Sequence, residues 1–378
     1  MKWIKRLAPY VVAAAIIAIL LRQIHPIAVV HLLIGIDWRW LLAAAGAYAF
    51  TNLMRAFRFN SLLELHAARP PSHLLGPVAP HDKDAPGVAA DAGGLLAAIQ
   101  LLPEMFALSF LNNTLPSRSG EVSFPYFMWR RHKVGVGEST AALIVVRIFD
   151  YMAMALLYVV CASANLHRLS PNATSAVWAV GLLLVISLVL LLTAPWLGQH
   201  MLDGLWWLIR RLSLEQHRAV RVVMGVGQQA VDHFRKIRSI RAYAVTFGWS
   251  LLTWIGTFAW FAASMQGIGL GQPYGLVVVG ATFASLAKAV PFITVGGFGA
   301  HEAGWTVGFS LVGMPVSMAI ASGFAVNILT LLMSVVFGGT ALIFMAVQEK
   351  RILRAGEDRQ DIQALASAGP VPSDRIMP

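Results

Sequence analysis

The sequence is short of charge: 12% of its 378 residues are Asp, Glu, Lys or Arg, against 57% hydrophobic. Soluble domains carry about 25% charged residues. A chain this poor in charge cannot cover itself with water-soluble groups, so lipid must cover much of its surface. It is also short of cysteine. Cys161 stands alone, which excludes an internal disulfide framework and a cysteine-based metal site. HExxH, GxSxG and P-loop motifs are missing, and His25, His31 and His66 have no ligand spacing. Gly296-Gly297-Phe298-Gly299 lacks the strand and spacing of a dinucleotide fingerprint. The expectation is a protein without cofactor or metal that is not an enzyme. No small-residue cleavage site follows the first apolar run, which ends at Arg22, so that run reads as a retained signal anchor.

What the sequence does have is long apolar runs. They fall at about 8–24, 39–59, 95–115, 139–163, 174–196, 241–266, 276–294 and 303–346, with Gly313-Met314-Pro315 dividing the last. Each is judged against the ~20 residues that a spanning helix needs. Residues 66–94 are rich in Pro, Gly, Ala and Asp and read as a flexible loop. Residues 355–378 read as a disordered tail. The net charge of +11 is spread between apolar segments without nucleic-acid motifs. It therefore reads as the positive-inside bias of a membrane protein, with no nucleic-acid partner.

Charge placement turns eight runs into six spans and two hairpins. Lys2, Lys5 and Arg6 put the N-terminus in the cytoplasm, and Arg55 and Arg58 mark the cytoplasmic edge after the second span. A full crossing by 95–115 would put Arg130, Arg131 and Lys133 outside. That segment holds Pro103 and Glu104 and ends in Asn112-Asn113-Thr114-Leu115-Pro116, all poor residues to face lipid. A segment that turns back at Pro116 keeps the basic cluster inside. Residues 276–312 have no charge at either mouth and hold Pro291, Gly296, Gly297 and Gly299, so they too can turn back. The basic stretch 197–240 reads as an amphipathic cytoplasmic connection or as a solvated linking helix. Both termini are then cytoplasmic.

The expected fold is an all-α polytopic membrane protein, an inverted repeat of about three spans plus one re-entrant hairpin per half. A single transmembrane domain covers 1–350, with halves of about 1–163 and 174–347. Broken helices in inverted repeats build transporter sites near the midplane. Charged residues at membrane depth must pair or line a cavity. Arg147 and Asp150, three apart on one helix, share a face and read as a structural ion pair or a headgroup site. Arg118 and Glu121 at one tip and His301 and Glu302 at the other read as functional, as does Lys288, one turn before Pro291. Arg118 and Lys288 suit a phosphate, and the acids suit charge balance or proton coupling.

Two motifs carry a resemblance. Asn112-Asn113-x-x-Pro116-x-Arg118-x-Gly120-Glu121 and Pro291-x-x-x-x-Gly296-Gly297-Phe298-Gly299-x-x-Glu302-Ala303 resemble the signatures of the lysylphosphatidylglycerol synthase transmembrane-region family, and Arg147-Ile148-Phe149-Asp150 is similar to its pattern. The resemblance implies a flippase-like translocase of an anionic, zwitterionic or aminoacylated lipid in the bacterial inner membrane. Together with the charges at membrane depth, it gives Asn112, Asn113, Pro116, Arg118, Glu121, Arg147, Asp150, Lys288, Gly296, Gly297, Gly299, His301 and Glu302 as the expected substrate-binding residues. The expected partners are a membrane lipid and the bilayer, with homo-oligomerisation left open. The sequence after the last span leaves no room for a synthase domain, so a stand-alone form is expected. An intramembrane phosphatase or transferase is the rival reading, and a scaffold in envelope-lipid metabolism a third.

Overall fold

Runs of Leu, Val, Ala and Ile without interior breakers form helices that are apolar all round, the pattern of segments surrounded by lipid or protein. The computed structural model describes residues 26–63, 88–115, 120–168, 173–211, 240–289 and 297–350, with a few positions between 220 and 231. No strand occurs among the described residues. In chain order the helices are α1 (Pro26–Ile34), α2 (Trp38–Leu63), α3 (Val88–Gln100), α4 (Leu102–Thr114), α5 (Ser123–His132), α6 (Val136–Ala164), α7 (Ala173–Arg211), α8 (Ile240–Gly267), α9 (Tyr274–Ala289), α10 (Ala300–Leu311) and α11 (Val316–Met333). A π-helical turn, Ser334–Gly338, carries α11 on to residue 350.

Among the described residues, four stretches are long and apolar enough to cross a membrane: Gly94–Thr114, Val136–Ala164, Tyr243–Gly267 and Val316–Lys350. Large apolar side chains on them face outward, including Val160 and Ile343. The chain is a multi-pass membrane protein.

The long helices α2 and α8 pack antiparallel at the centre. Asp37 at the start of α2 donates its N–H to Gly267 O at the end of α8, and Phe57 stacks on Trp249 at the other end. Gly256 lets α8 approach closely, since a Cβ there would lie 2.7 Å from Thr51 Oγ1. Around this pair the remaining helices exchange partners. The tip end of α4 lies along the π turn of α11, where Gly338 fits against Phe106 and Phe110. In the reciprocal place α9 lies along α6, with Gly275 against Asn165 and Phe283 against Tyr158.

Several expectations change here. The apolar run 95–115 is two helices, broken at Leu101 because Pro103 sits in the first turn of α4. Residues 88–94, expected as loop, are the start of α3. Residues 26–34, left unassigned, form α1. The span 174–196 does not end there: α7 continues to Arg211, 39 residues in all. At 1.5 Å per residue it is about 58 Å long, about twice the hydrocarbon thickness. The first span, 8–24, most of the connection 212–239, and the tail 355–378 lie outside the described residues.

Gly94–Thr114 qualifies as a span by length, and the contacts at its two ends give its extent along α2. Gly94 sits beside Asn60, whose Nδ2 reaches Gly94 O at 3.5 Å. Asn113, at the far end, shares Ser334 with Tyr48. The segment thus runs back along α2 only as far as Tyr48, and residues 38–47 of α2 continue about 15 Å beyond it. From there α5 runs back beside α4. Arg131, at its end, lies 2.7 Å from Glu104 at the start of α4, with His132 at 3.3 Å. Arg131 also reaches Gln348, and Arg130 pairs with Glu349. The basic cluster at 130–133 therefore sits at the same end of the molecule as Lys350.

The second hairpin is tighter. A Cβ on Gly308 would lie 2.0 Å from Gly280 O, and one on Gly304 would lie 2.5 Å from Phe283 O. Only glycine lets α9 and α10 touch backbone to backbone. These helices have 16 and 12 residues, about 24 and 18 Å, each shorter than the ~30 Å hydrocarbon core.

Candidate functional site

Along α2, Tyr48, Thr51, Asn52, Arg55 and Arg58 recur at helical spacing, which puts a polar stripe on one face of an apolar helix. Its first four members face a cavity of about 170 Å³. Tyr48, Thr51, Asn52 and Arg55 line it from α2, and Ser109, Asn112 and Asn113 from α4. Trp254, Thr257, Trp260 and Phe261 line it from α8, Ser285 and Lys288 from α9, with Gly297 and Thr330 closing it. The midpoints of α2 and α8 fall near Thr51 and Trp254, and that of Val316–Lys350 falls at Met333. The cavity thus lies halfway along the long helices, where the ends of both hairpins converge.

Its walls are hydrogen-bonded. Arg55 Nη1 donates to Ser109 Oγ at 3.0 Å, and Ser109 donates to Asn52 Oδ1 at 2.6 Å. Asn113 Nδ2 donates to Ser334 Oγ at 2.8 Å, and Ser334 donates to Thr330 O at 2.5 Å. The first hairpin is thereby tied to both central and final helices. On the opposite wall Lys288 Nζ donates to Asn327 Oδ1 at 3.2 Å. Asn327 Nδ2 donates to Glu302 Oε1 at 2.9 Å, and Gly299 N–H donates to Glu302 Oε2 at 2.6 Å.

Glu302 therefore caps α10 at its N-terminus, where a carboxylate also meets the positive end of the helix dipole. It is wholly buried and lies behind Asn327, away from the cavity lining. Gly297 and Gly299 hold φ of +70° and +88°, a backbone region costly for other residues. A Cβ on Gly297 would lie 2.8 Å from Lys288 Cε, so this glycine makes room for the lysine. His301 is also fully buried, packed between Phe261 and Trp305, and neither ring nitrogen has a hydrogen-bond partner among the described residues.

The expected Arg147–Asp150 pair does not form. Asp150 is instead bridged by Arg58 at 2.5 Å, and Arg147 pairs with Glu121 at the base of α5. Three residues apart on α6, the two side chains diverge to partners on different neighbours. Arg58 also donates to Ser250 Oγ at 3.0 Å, and Trp254 Nε1 donates to Asp150 Oδ1 at 3.0 Å. With 2% of its surface exposed, Arg58 is an interior residue and not the edge marker that the sequence reading expects. Arg55 likewise turns inward to the cavity. A buried charge in such a bundle persists only when paired and hydrogen-bonded, and this one is both.

Of the expected site residues, the structure brings Asn112, Asn113, Lys288 and Gly297 to one cavity. Glu302 and Gly299 stand just behind it, and Glu121, Arg147, Asp150 and His301 lie outside its lining. Pro116, Arg118, Pro291 and Gly296 lie outside the described residues. Sequence reasoning missed Tyr48, Asn52, Arg55, Ser109, Trp254 and Trp260. The stripe at 48, 52 and 55 was the signal for the first three.

The family model for the lysylphosphatidylglycerol synthase TM region matches residues 6–338. The chain belongs to this family. It is a membrane family linked to lipid handling. No curated protein and no solved structure matches the chain.

Proposed function

We propose that this chain is a flippase-like translocase, moving a phospholipid headgroup between leaflets through the mid-depth cavity while the acyl chains stay in lipid. The observation that carries the reading is the position of the cavity. Polar and cationic side chains gather halfway along helices that are otherwise apolar, where two hairpins end. Such groups are expensive at that depth unless a function holds them there. The two halves support an inverted repeat. Each runs long helix, hairpin, long helix; α2 and α8 are antiparallel, and the outer contacts are reciprocal. Discontinuous helices meeting at mid-depth are a recurring transporter plan.

The orientation follows from charge. Arg130, Arg131, Lys133, Arg241 and Lys350 gather at the end where α2 finishes, against Arg39 and Arg168 at the other. The basic end is cytoplasmic by the positive-inside rule, in a bacterial inner membrane. Both hairpins are then re-entrant, one from each side. The protein acts without catalysis or cofactor, with membrane lipid as its partner.

The test is leaflet-resolved lipid transport in proteoliposomes, with Arg118→Ala, Arg55→Gln and Glu302→Gln as variants. The wild type should exceed empty vesicles, and Arg118→Ala and Arg55→Gln should fall towards them. Wild-type rates equal to those of empty vesicles across candidate lipids would sink the proposal. A changed lipid mass in the same vesicles would favour the enzyme reading.

A further inference from the structure

The translocase reading leaves the headgroup open, and the hydrogen bonding of the cavity wall bears on it. Hydroxyls line the cavity from four helices: Thr51 on α2, Thr257 on α8, Ser285 on α9 and Thr330 on α11. Each donates its proton to its own helix. Thr51 reaches Ala47 O at 2.9 Å, Thr257 reaches Thr253 O at 2.8 Å, Ser285 reaches Ala281 O at 3.0 Å and Thr330 reaches Val326 O at 2.8 Å. A hydroxyl has a single proton to give but lone pairs to spare. With the proton engaged, each of these oxygens meets a ligand as an acceptor. The wall thus receives donors from several sides.

One group on the same wall is the reverse. Trp260 lines the cavity with 3% of its surface exposed, and its indole N–H has no hydrogen-bond partner among the described residues. An indole can only donate, and a buried donor without an acceptor is costly. A ligand that fits this wall brings donors for the hydroxyl oxygens and an acceptor for Trp260. An ammonium only donates, and an ionised phosphodiester oxygen only accepts. A hydroxyl does both from one atom. Trp254, Trp260 and Phe261 also give the cavity an aromatic side, against which the C–H face of a carbon ring packs.

We propose that the cavity selects a hydroxyl-rich headgroup, a polyol or sugar, over an amine headgroup. Trp260 donates to one of its hydroxyl oxygens, and the back-bonded oxygens of Thr51, Thr257, Ser285 and Thr330 accept from its O–H groups. Selection works through neutral hydrogen bonds, so it separates headgroups of equal charge. This inference rests on the cavity being the lipid site, as the translocase reading requires.

The experiment separates binding from transport and hydroxyls from charge. Purified full-length protein is titrated with phosphatidylinositol, phosphatidylglycerol, phosphatidylmethanol and phosphatidylethanolamine of matched acyl chains, and bound lipid is read by native mass spectrometry. The first three share one charge and carry many, few and no free hydroxyls. The same lipids are then followed across proteoliposomes. Phosphatidylinositol should bind about tenfold more tightly than phosphatidylmethanol, with phosphatidylglycerol between them and phosphatidylethanolamine no tighter than phosphatidylmethanol. Trp260→Phe, which keeps an aromatic ring, and Thr257→Val, which keeps the shape, should each weaken phosphatidylinositol about fivefold and leave phosphatidylmethanol unchanged. Thr282→Val is the control and should change neither, since Thr282 donates to Val278 O at 2.7 Å in the same way but lies outside the cavity lining. Equal binding of phosphatidylinositol and phosphatidylmethanol would overturn the inference, even with transport intact. So would Trp260→Phe and Thr257→Val variants that bind as the wild type does, the result if these groups serve only their own helices. Selective binding without transport would uphold the inference and sink the translocase. Displacement of phosphatidylinositol by millimolar free inositol would assign the cavity to a soluble polyol and overturn the lipid source.

Discussion

Removal of the Asp150 carboxylate should destabilise the molecule more than loss of any cavity residue. Arg58 is 2% exposed and lies 2.5 Å from Asp150. At that distance the attraction is about 7 kcal/mol for an effective dielectric of ~20, and desolvation of both ions takes back most of it. Asp150→Ala removes the attraction but leaves Arg58 buried, with Ser250 still accepting from it. It also strips the Trp254 N–H of its acceptor. Breaking a buried pair from one side costs about 3–5 kcal/mol, and the lost Trp254 bond adds about 1 kcal/mol. The double variant Arg58→Met with Asp150→Leu removes both charges together, so it should regain about 2 kcal/mol or more over Asp150→Ala. Detergent-solubilised protein would be followed by near-ultraviolet circular dichroism during heating and chemical unfolding. An Asp150→Ala variant as stable as wild type would refute the argument, as would a double variant no better than the single.

Gly308→Ala should force α9 and α10 apart, because the new methyl would sit 2.0 Å from Gly280 O; at least about 2 kcal/mol of stability should go, against little for Gly339→Ala, whose site is open. Glu302→Gln should cost about 1–3 kcal/mol. Its amide has one oxygen to offer where the carboxylate accepts from both Asn327 and Gly299, and a heat-stable variant with unchanged amide exchange at Gly299 would contradict that capping role. In a Cys161→Ser background, Lys133→Cys and Lys350→Cys should label from the same side of sealed vesicles, and Gly269→Cys from the opposite side. Labelling of positions 133 and 269 from one side would overturn the first hairpin.

Hydropathy and charge made the architecture legible because both act segment by segment. The break at Gly313–Pro315 and the helices at 139–163 and 241–266 follow from where apolar runs start and stop. Partner choice was not legible, because it depends on where three or four helices meet. Arg147 and Asp150 looked like one pair since they share a helix face, but each is bonded to a residue on another element. Arg55 and Arg58 looked like edge markers since arginine near a helix end usually is one. The alternative clue was their register with Tyr48 and Asn52. An edge arginine needs no polar neighbours one and two turns back, but an inward-facing one does.

The charges at mid-depth divide into two kinds. Arg58 and Asp150 meet directly and bond outward to Ser250 and Trp254, so that charge is spent on holding α2, α6 and α8 together. Arg55 and Lys288 donate to hydroxyl and amide groups, and both face one cavity. If the cavity cations served only packing, a carboxylate in place of Ser109 or Asn327 would serve it better. Ser109→Asp therefore separates the two ideas. A structural role for Arg55 predicts a protein at least as stable, with headgroup binding unchanged. A binding role predicts that the new carboxylate competes with lipid for Arg55 and weakens anionic lipid binding by about tenfold, even while stability holds.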